Sequence, residues 1–138
     1  AVLVQKKPIL GICLGMQLMA KFSEEGDAAG FGWLDASVAK FQSKDELKYK
    51  VPHMGWNQVE IVKESKLMEG IDSGTEMYFV HSYHFVTENR QDVLNETVYE
   101  NKFTSAMEKN NIFGVQYHPE KSHDSGEKLM NNFINLLL

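Results

Sequence analysis

Pro8-Ile9-Leu10-Gly11-Ile12-Cys13-Leu14-Gly15-Met16-Gln17 is the stretch on which the reading of this chain turns. Its first half is a short apolar run bounded by Pro and Gly, as expected of a buried strand. Its second half opens a run of helix formers, Leu14, Met16, Leu18, Met19 and Phe22, which predicts a helix as far as the acidic stretch Glu24-Glu25-Gly26-Asp27. The junction carries Cys13, the only cysteine of the chain, with a glycine two residues to either side. A lone thiol forms no internal disulfide, so its value lies in packing or in chemistry. Glycine tolerates positive φ and lets other groups approach the backbone, as a sharp strand-to-helix turn presenting a side chain requires. The thiolate is the reactive form of cysteine, and a helix N-terminus lowers its pKa. The competing reading is an inert buried thiol.

A cysteine nucleophile needs a base, and the chain offers one far downstream. Tyr117-His118-Pro119-Glu120 follows the apolar run Ile112 to Gln116. Proline biases His118 toward an extended conformation. In such a chain residues two apart project to the same side, so Glu120 can lie beside the imidazole. A carboxylate there fixes the tautomer and supports the imidazolium, leaving the other ring nitrogen for the thiol. The alternative is a strand end followed by a turn with a solvated acid.

The rest of the chain reads as mixed α/β. Ser37 to Phe41, Asn57 to Val62, Met77 to Val86 and Val93 to Tyr99 are strand candidates, and Thr104 to Glu108 pairs with Ile112 to Tyr117 across a hairpin turn at Lys109-Asn110-Asn111. Leu67 to Ile71 suggests one helical turn. A final helix begins at an Asp124/Glu127 capping box and buries Leu129, Met130, Phe133, Ile134 and Leu137 on one face. Gly26 to Gly32 and Ser43 to Lys50 are loops, and no repeat or linker interrupts the 138 residues.

Composition bounds the function. With 43% hydrophobic and 24% charged residues the chain is ordinary for one soluble domain. A net charge of −5 gives no support to nucleic-acid binding, and no apolar stretch approaches a membrane span. One cysteine without an export-like segment fits the reducing cytoplasm. Asn95-Glu96-Thr97 matches a glycosylation sequon only by chance on this reading. No metal site is expected: His81 and His84, three apart on one strand, fall on opposite faces, and His53 and His123 lack companions at ligand spacing.

Taken together, the Gly-x-Cys-x-Gly-x-Gln turn and the distant His-Pro-Glu resemble class I glutamine amidotransferases. The segments Pro8 to Gln17, Pro52-His53-Met54-Gly55-Trp56-Asn57, Tyr78-Phe79-Val80-His81-Ser82-Tyr83 and Phe113 to Ser122 are most similar to the glutaminase subunits of imidazole glycerol phosphate synthases. The resemblance implies a flavodoxin-like three-layer α/β sandwich that needs no cofactor. It implies that Cys13 attacks the side-chain amide of glutamine, that His118 moves the protons and that Glu120 supports His118. Gln17, Glu25, Ser82 and Tyr83 match positions around the glutamine, with Glu25 facing its ammonium. Met54, Trp56, Asn57, Tyr78 and Lys121 match positions toward a (β/α)8-barrel cyclase, the heterodimer partner that turns ammonia into imidazole glycerol phosphate for histidine biosynthesis.

Family members also carry segments ahead of the nucleophile strand, including a glycine loop that supplies an oxyanion amide. The resemblance therefore implies that residues 1–138 are the C-terminal part of a single amidotransferase domain, weak or inactive alone. Three alternatives stay open: a subunit of a related synthase, such as one amidinating a surface sugar; a catalytically silent interaction fragment; and a cysteine peptidase.

Overall fold

The computed structural model describes all residues, 1–138. In chain order the elements are β1 (Ile9–Ile12), α1 (Leu14–Gln17), β2 (Phe22–Ser23), β3 (Ala28–Ala29), β4 (Ser37–Lys40), β5 (His53–Gln58), β6 (Glu60–Ile61), β7 (Glu76–His81), β8 (Tyr83–Val86), β9 (Val93–Tyr99), β10 (Asn101–Lys109), β11 (Ile112–Val115) and α2 (His123–Leu137). Most strands join one curled sheet in which β11 lies between parallel β1 and antiparallel β10. A separate antiparallel pair, β5 and β7, sets His53 opposite His81 and Trp56 opposite Tyr78. Asn110, at φ 56, closes the hairpin between β10 and β11 where the sequence places the turn.

The alternation of β11 divides the core. Phe113 and Val115 join a cluster with Phe79, Phe103, Tyr117 and Leu129 of α2. Ile112 joins the other cluster, with Met16, Met19, Val38 and Phe85. Helical segments thus cover both faces of the sheet, which makes the three-layer sandwich expected from the resemblance. Asn95 is fully buried and accepts the Tyr117 hydroxyl at 2.6 Å, so the sequon's asparagine is a core residue.

Several expectations change. The helix after Cys13 ends at Gln17 rather than near Phe22. The groups needed to continue it are engaged elsewhere: the Lys21 N–H bonds to the Ala36 carbonyl and the Leu18 carbonyl accepts the Phe31 N–H, while Met19, Ala20 and Lys21 accept the N–H groups of Leu34, Gly32 and Gly30. A Cβ at Gly30 would lie 2.1 Å from the Ala20 carbonyl oxygen, so this docking depends on glycine. The strand expected over Met77 to Val86 breaks at Ser82, whose carbonyl accepts the Phe41 N–H, and its halves join different sheets. The break also turns His81 and His84 to the same side, where both rings lie within 5.0 Å of the Phe41 ring centroid. The strand expected to start at Asn57 starts at His53 and is interrupted at Val59, which bonds to Thr75 and Gly74. The capping box does not form, because Asp124 already lies within the first helical turn and Ser122 holds the cap position. Ile134 and Leu137 stand out of the core face, 48% and 55% exposed, and Leu136 packs there instead.

Candidate active site

Parallel pairing of β1 with β11 sets Ile12 beside Val115, so the residues that follow both strands leave the sheet together. Cys13 donates its N–H to the Val115 carbonyl at 2.8 Å and adopts φ 53, ψ −107. That left-handed backbone on a non-glycine residue is strain of the kind concentrated at functional turns. Gly11 is required by a close approach: a Cβ there would lie 2.7 Å from the Gly15 carbonyl carbon and oxygen. Gly15 itself faces open space, so the expected need for glycine on both sides holds only for Gly11.

The half-buried thiol points to the Val80 carbonyl at 3.8 Å and accepts from the Gln116 side-chain amide at 3.5 Å. Burial pushes the thiol above its ordinary value, against the lowering by the Leu14 N–H and the Gln116 amide, and the charges of Glu120 and Glu25 add to the rise. The sequence suggested the opposite sign from a helix N-terminus. Four residues of α1 make too little helix to outweigh desolvation.

His118 continues β11 in extended backbone and donates its N–H to the Tyr78 carbonyl. Its ring Nδ1 lies 2.9 and 3.3 Å from the Glu120 oxygens. The two side chains meet as foreseen, but a 3-10 turn over Pro119–Lys121 brings them together, where an extended chain was expected. The carboxylate can only accept, so Nδ1 carries a proton, and in the neutral ring the lone pair is on Nε2. Nε2 is buried and has no hydrogen-bond partner.

Gln17 is buried and donates both amide hydrogens, to the Tyr83 carbonyl at 3.2 Å and to Gln116 Oε1 at 3.0 Å. Glu25 is exposed, on a 3-10 turn whose charge reaches Cys13. Ser82 and Tyr83 sit at the β7–β8 break. Cys13, Gln17 and Tyr83 are thus joined by hydrogen bonds through Gln116, whereas the His118–Glu120 pair makes no hydrogen bond to the thiol and reaches it through the charge of Glu120, as Glu25 does. The groove of about 550 Å³ lined by Phe41, Tyr49, His84 and Tyr99 contains none of them.

The second set divides. Met54 and Trp56 are exposed on the outer face of β5, and Trp56 stacks on His123 at 5.3 Å and meets the Tyr78 ring at 5.9 Å. Lys121 Nζ sits 6.0 Å from the Tyr78 ring centroid. Asn57 does not join them: it turns to the inner face, donating to the Val98 carbonyl at 2.9 Å and to His53 Nε2 at 3.2 Å. Strand alternation separates it from Trp56, the residue before it.

Sequence reasoning missed Gln116, and it missed that His53 and His81 meet at 3.0 Å. The pairing signal lay in strand register, which only the β5–β7 alignment reveals. No group of three His, Cys, Asp or Glu side chains is placed to hold a metal ion, and no helix is long and apolar enough to cross a membrane.

Comparison with known proteins adds an independent line. The family described as glutamine amidotransferase class-I matches residues 1–136. Subunit HisH 2 of imidazole glycerol phosphate synthase from Methanococcus maripaludis is 50% identical over 133 residues, 96% of this chain and 65% of that protein. Subunit HisH from Sulfurimonas denitrificans is 51% identical over 129 residues, 92% of this chain and 62% of that protein. The chain thus spans slightly less than two thirds of the length of these relatives. Among solved structures, a putative GMP synthase component from Thermoplasma acidophilum superposes with a TM-score of 0.68 at 23% identity, covering 94% of this chain and 57% of that one. A glutamine amidotransferase from Thermotoga maritima gives 0.64 at 23% identity, covering 99% and 50%. At that identity these two likenesses speak for the fold alone. The family match runs over almost every residue and takes in both the strained cysteine turn and the His-Pro-Glu turn, so this chain belongs to the class-I glutamine amidotransferase family.

Proposed function

We propose that this chain carries the glutaminase chemistry of an imidazole glycerol phosphate synthase, hydrolysing glutamine to glutamate and passing ammonia to a (β/α)8-barrel cyclase in histidine biosynthesis. The observation that carries the reading is the His118–Glu120 pair, which orients the imidazole and leaves its Nε2 buried and without a hydrogen-bond partner. The identities of about half to HisH subunits support the pathway.

On this reading His118 Nε2 takes the thiol proton, and the thiolate attacks the carboxamide carbon of glutamine. Collapse of the tetrahedral intermediate expels ammonia, protonated by His118, and leaves a glutamyl thioester. His118 then activates water to release glutamate and regenerate the thiol. Glu120 holds the Nδ1 proton throughout and stabilises the imidazolium. The raised thiol pKa gives a resting Cys13 that is protonated until His118 engages it. Glu25 and the Tyr83 segment bind the amino-acid end of the substrate.

The patch of Met54, Trp56, Tyr78 and Lys121 docks the barrel partner, since exposed aromatic and Met side chains suit an interface core. Heterodimer formation and a cytoplasmic location belong to the same proposal, as does the assignment of residues 1–138 to one amidotransferase domain.

The test is glutamate release from glutamine by the full-length protein with its cyclase partner. Turnover abolished by Cys13→Ala supports the reading. Turnover that survives Cys13→Ala, or failure of a glutamine-like electrophile to label Cys13 selectively, overturns it.

A further inference from the structure

Two arms of buried and part-buried hydrogen bonds meet at the Tyr83 carbonyl, one from β5 and one from the Cys13 sulfur, and the donor and acceptor of each bond are forced. Asn57 Nδ2 lies 3.2 Å from His53 Nε2, His53 Nδ1 lies 3.0 Å from His81 Nε2, and His81 Nδ1 lies 2.8 Å from the Tyr83 carbonyl oxygen. From the other side Gln17 Nε2 reaches the same carbonyl and Gln116 Oε1, and Gln116 Nε2 reaches Cys13 Sγ. A backbone carbonyl only accepts, so His81 must donate from Nδ1 and Gln17 must donate from its amide.

Each remaining group then has one choice. Both rings are at most 5% exposed, and burial lowers His53 to about 4 and His81 to about 3, so each stays neutral with one proton. No carboxylate touches either ring. His53 lies between Phe79 and Tyr99, with centroids at 4.9 and 4.1 Å, and His81 lies by Phe41 and Phe103, at 5.0 and 5.3 Å. Two further imidazoles act on His81 through charge: His84, which donates from Nδ1 to the Phe85 carbonyl, and His118. A neutral His81 donating from Nδ1 accepts at Nε2, so His53 donates from Nδ1 and accepts from Asn57 at Nε2. Gln17 spends both amide hydrogens, which turns Gln116 Oε1 toward it and Gln116 Nε2 toward the sulfur. Inverting Gln116 alone would set amide nitrogen against amide nitrogen and an oxygen against the thiolate.

We propose that Gln116 is a positioning residue whose amide, oriented by Gln17 against the Tyr83 carbonyl, keeps a hydrogen-bond donor facing the Cys13 sulfur, and that His81, itself held by His53, is a positioning residue that pins that carbonyl in place. None of them touches the reacting carbon. They act through the Tyr83 carbonyl and the Gln17 amide, and a donor beside sulfur favours the thiolate that the chemistry needs. The proposal rests on reading Cys13 as the nucleophile.

Long-range proton–nitrogen NMR of the histidine rings in the full chain tests the polarity without any variant. His53 and His81 are expected protonated at Nδ1 and bare at Nε2, unchanged from pH 8 to 6. Either ring in the opposite tautomer, or titrating near 6.5, overturns the proposal. The coupling to sulfur is read from the rate of Cys13 alkylation by iodoacetamide against pH. Gln116→Met is uncharged and of similar length but loses the donor, and is expected to slow alkylation at pH 7 by at least about tenfold, the worth of one hydrogen bond to a charged group. His81→Leu is expected to slow it in the same direction, and His81→Asn, which can restore a donor to Tyr83, to recover most of the rate. A wild-type profile in Gln116→Met or His81→Leu, or no recovery in His81→Asn, overturns the proposal. Neither measurement uses glutamine, so failure of the glutaminase reading shows separately, as wild-type protein without turnover.

Discussion

Gly126→Ala sets two effects of opposite sign against each other in one residue. Gly126 is buried in the first turn of α2, in ordinary helical backbone. Replacing a helical glycine by alanine ordinarily stabilises by about 1 kcal/mol. Here a Cβ would lie 1.8 Å from the Pro119 carbonyl oxygen, 2.7 Å from its carbon and 3.0 Å from its Cα. To reach even 3.0 Å from the oxygen, the helix and the Pro119–Lys121 turn must part by about 1.2 Å. All three atoms are backbone, so no side chain can rotate to absorb the move. Overpacking of this kind costs about 1–3 kcal/mol, and the rigid neighbours put this case at the upper end, giving a net loss of about 1–2 kcal/mol after the propensity gain. For a domain of this size that lowers the melting temperature by about 3–6 °C.

The same shift has a second consequence, because Pro119 stands between His118 and Glu120. The Ser122 hydroxyl ties the His118 carbonyl to the Tyr78 N–H, so the turn has little freedom to move without its imidazole. Displacing a reacting group by 1 Å can cost about a hundredfold in rate. Thermal melts and glutaminase kinetics of Gly126→Ala, beside the exposed control Glu127→Ala, are therefore expected to show both a lower melting temperature and a lower kcat/KM. An alanine variant that melts higher than wild type, by the propensity gain alone, with unchanged turnover, would refute the close packing of α2 on the His-Pro-Glu turn.

Glu120→Gln is expected to move two readouts in opposite directions. Turnover falls at least about a hundredfold because the His118 tautomer is no longer held, less than the ten-thousandfold of a fully buried triad carboxylate since half of Glu120 faces solvent. Alkylation of the resting thiol at pH 8 speeds up, since Glu120 raises the Cys13 pKa; slower alkylation would contradict that electrostatic role. Acid should weaken the fold through His53 and His81: the unfolded rings take up protons near 6.5, the folded ones only near 4 and 3, so stability is lost as pH falls below 6.5. By pH 4.5 this amounts to about 2–3 kcal/mol per ring; urea midpoints identical at pH 7 and 4.5 would rule it out. Trp56→Ala, at an exposed site, should leave the urea midpoint nearly unchanged while weakening cyclase binding by about 2 kcal/mol or more, about thirtyfold in Kd. Undiminished binding in a titration would remove Trp56 from the docking surface.

The legible parts of the site were those written in short segments. Cys13 between its glycines and His118-Pro119-Glu120 each carry their chemistry within a few residues, so the nucleophile turn and the oriented imidazole could be read in order along the chain. The β11 strand, its Asn110 turn and the apolar face of α2 around Leu129 and Phe133 were legible for the same reason, since periodicity and turn chemistry are local. The length of α1 was not. Its residues are good helix formers, and the carbonyls of Leu18 to Lys21 were claimed by backbone N–H groups of a later segment, Gly30 to Leu34.

Sequence alone thus singled out the groups proposed to do the chemistry, one thiol and one imidazole with its carboxylate, and determined the family to which their spacing belongs. Tertiary structure decided how those groups are tuned. The burial that raises the Cys13 pKa comes from the elements packed around it, and the Gln116 donor beside it is held by Gln17 from a distant part of the chain. The register that sets His53 against His81, and the alternation that turns Asn57 inward while Trp56 faces out, exist only once β5 and β7 pair. Desolvation and hydrogen-bond direction depend on neighbours in space, and a linear pattern specifies neighbours only along the chain.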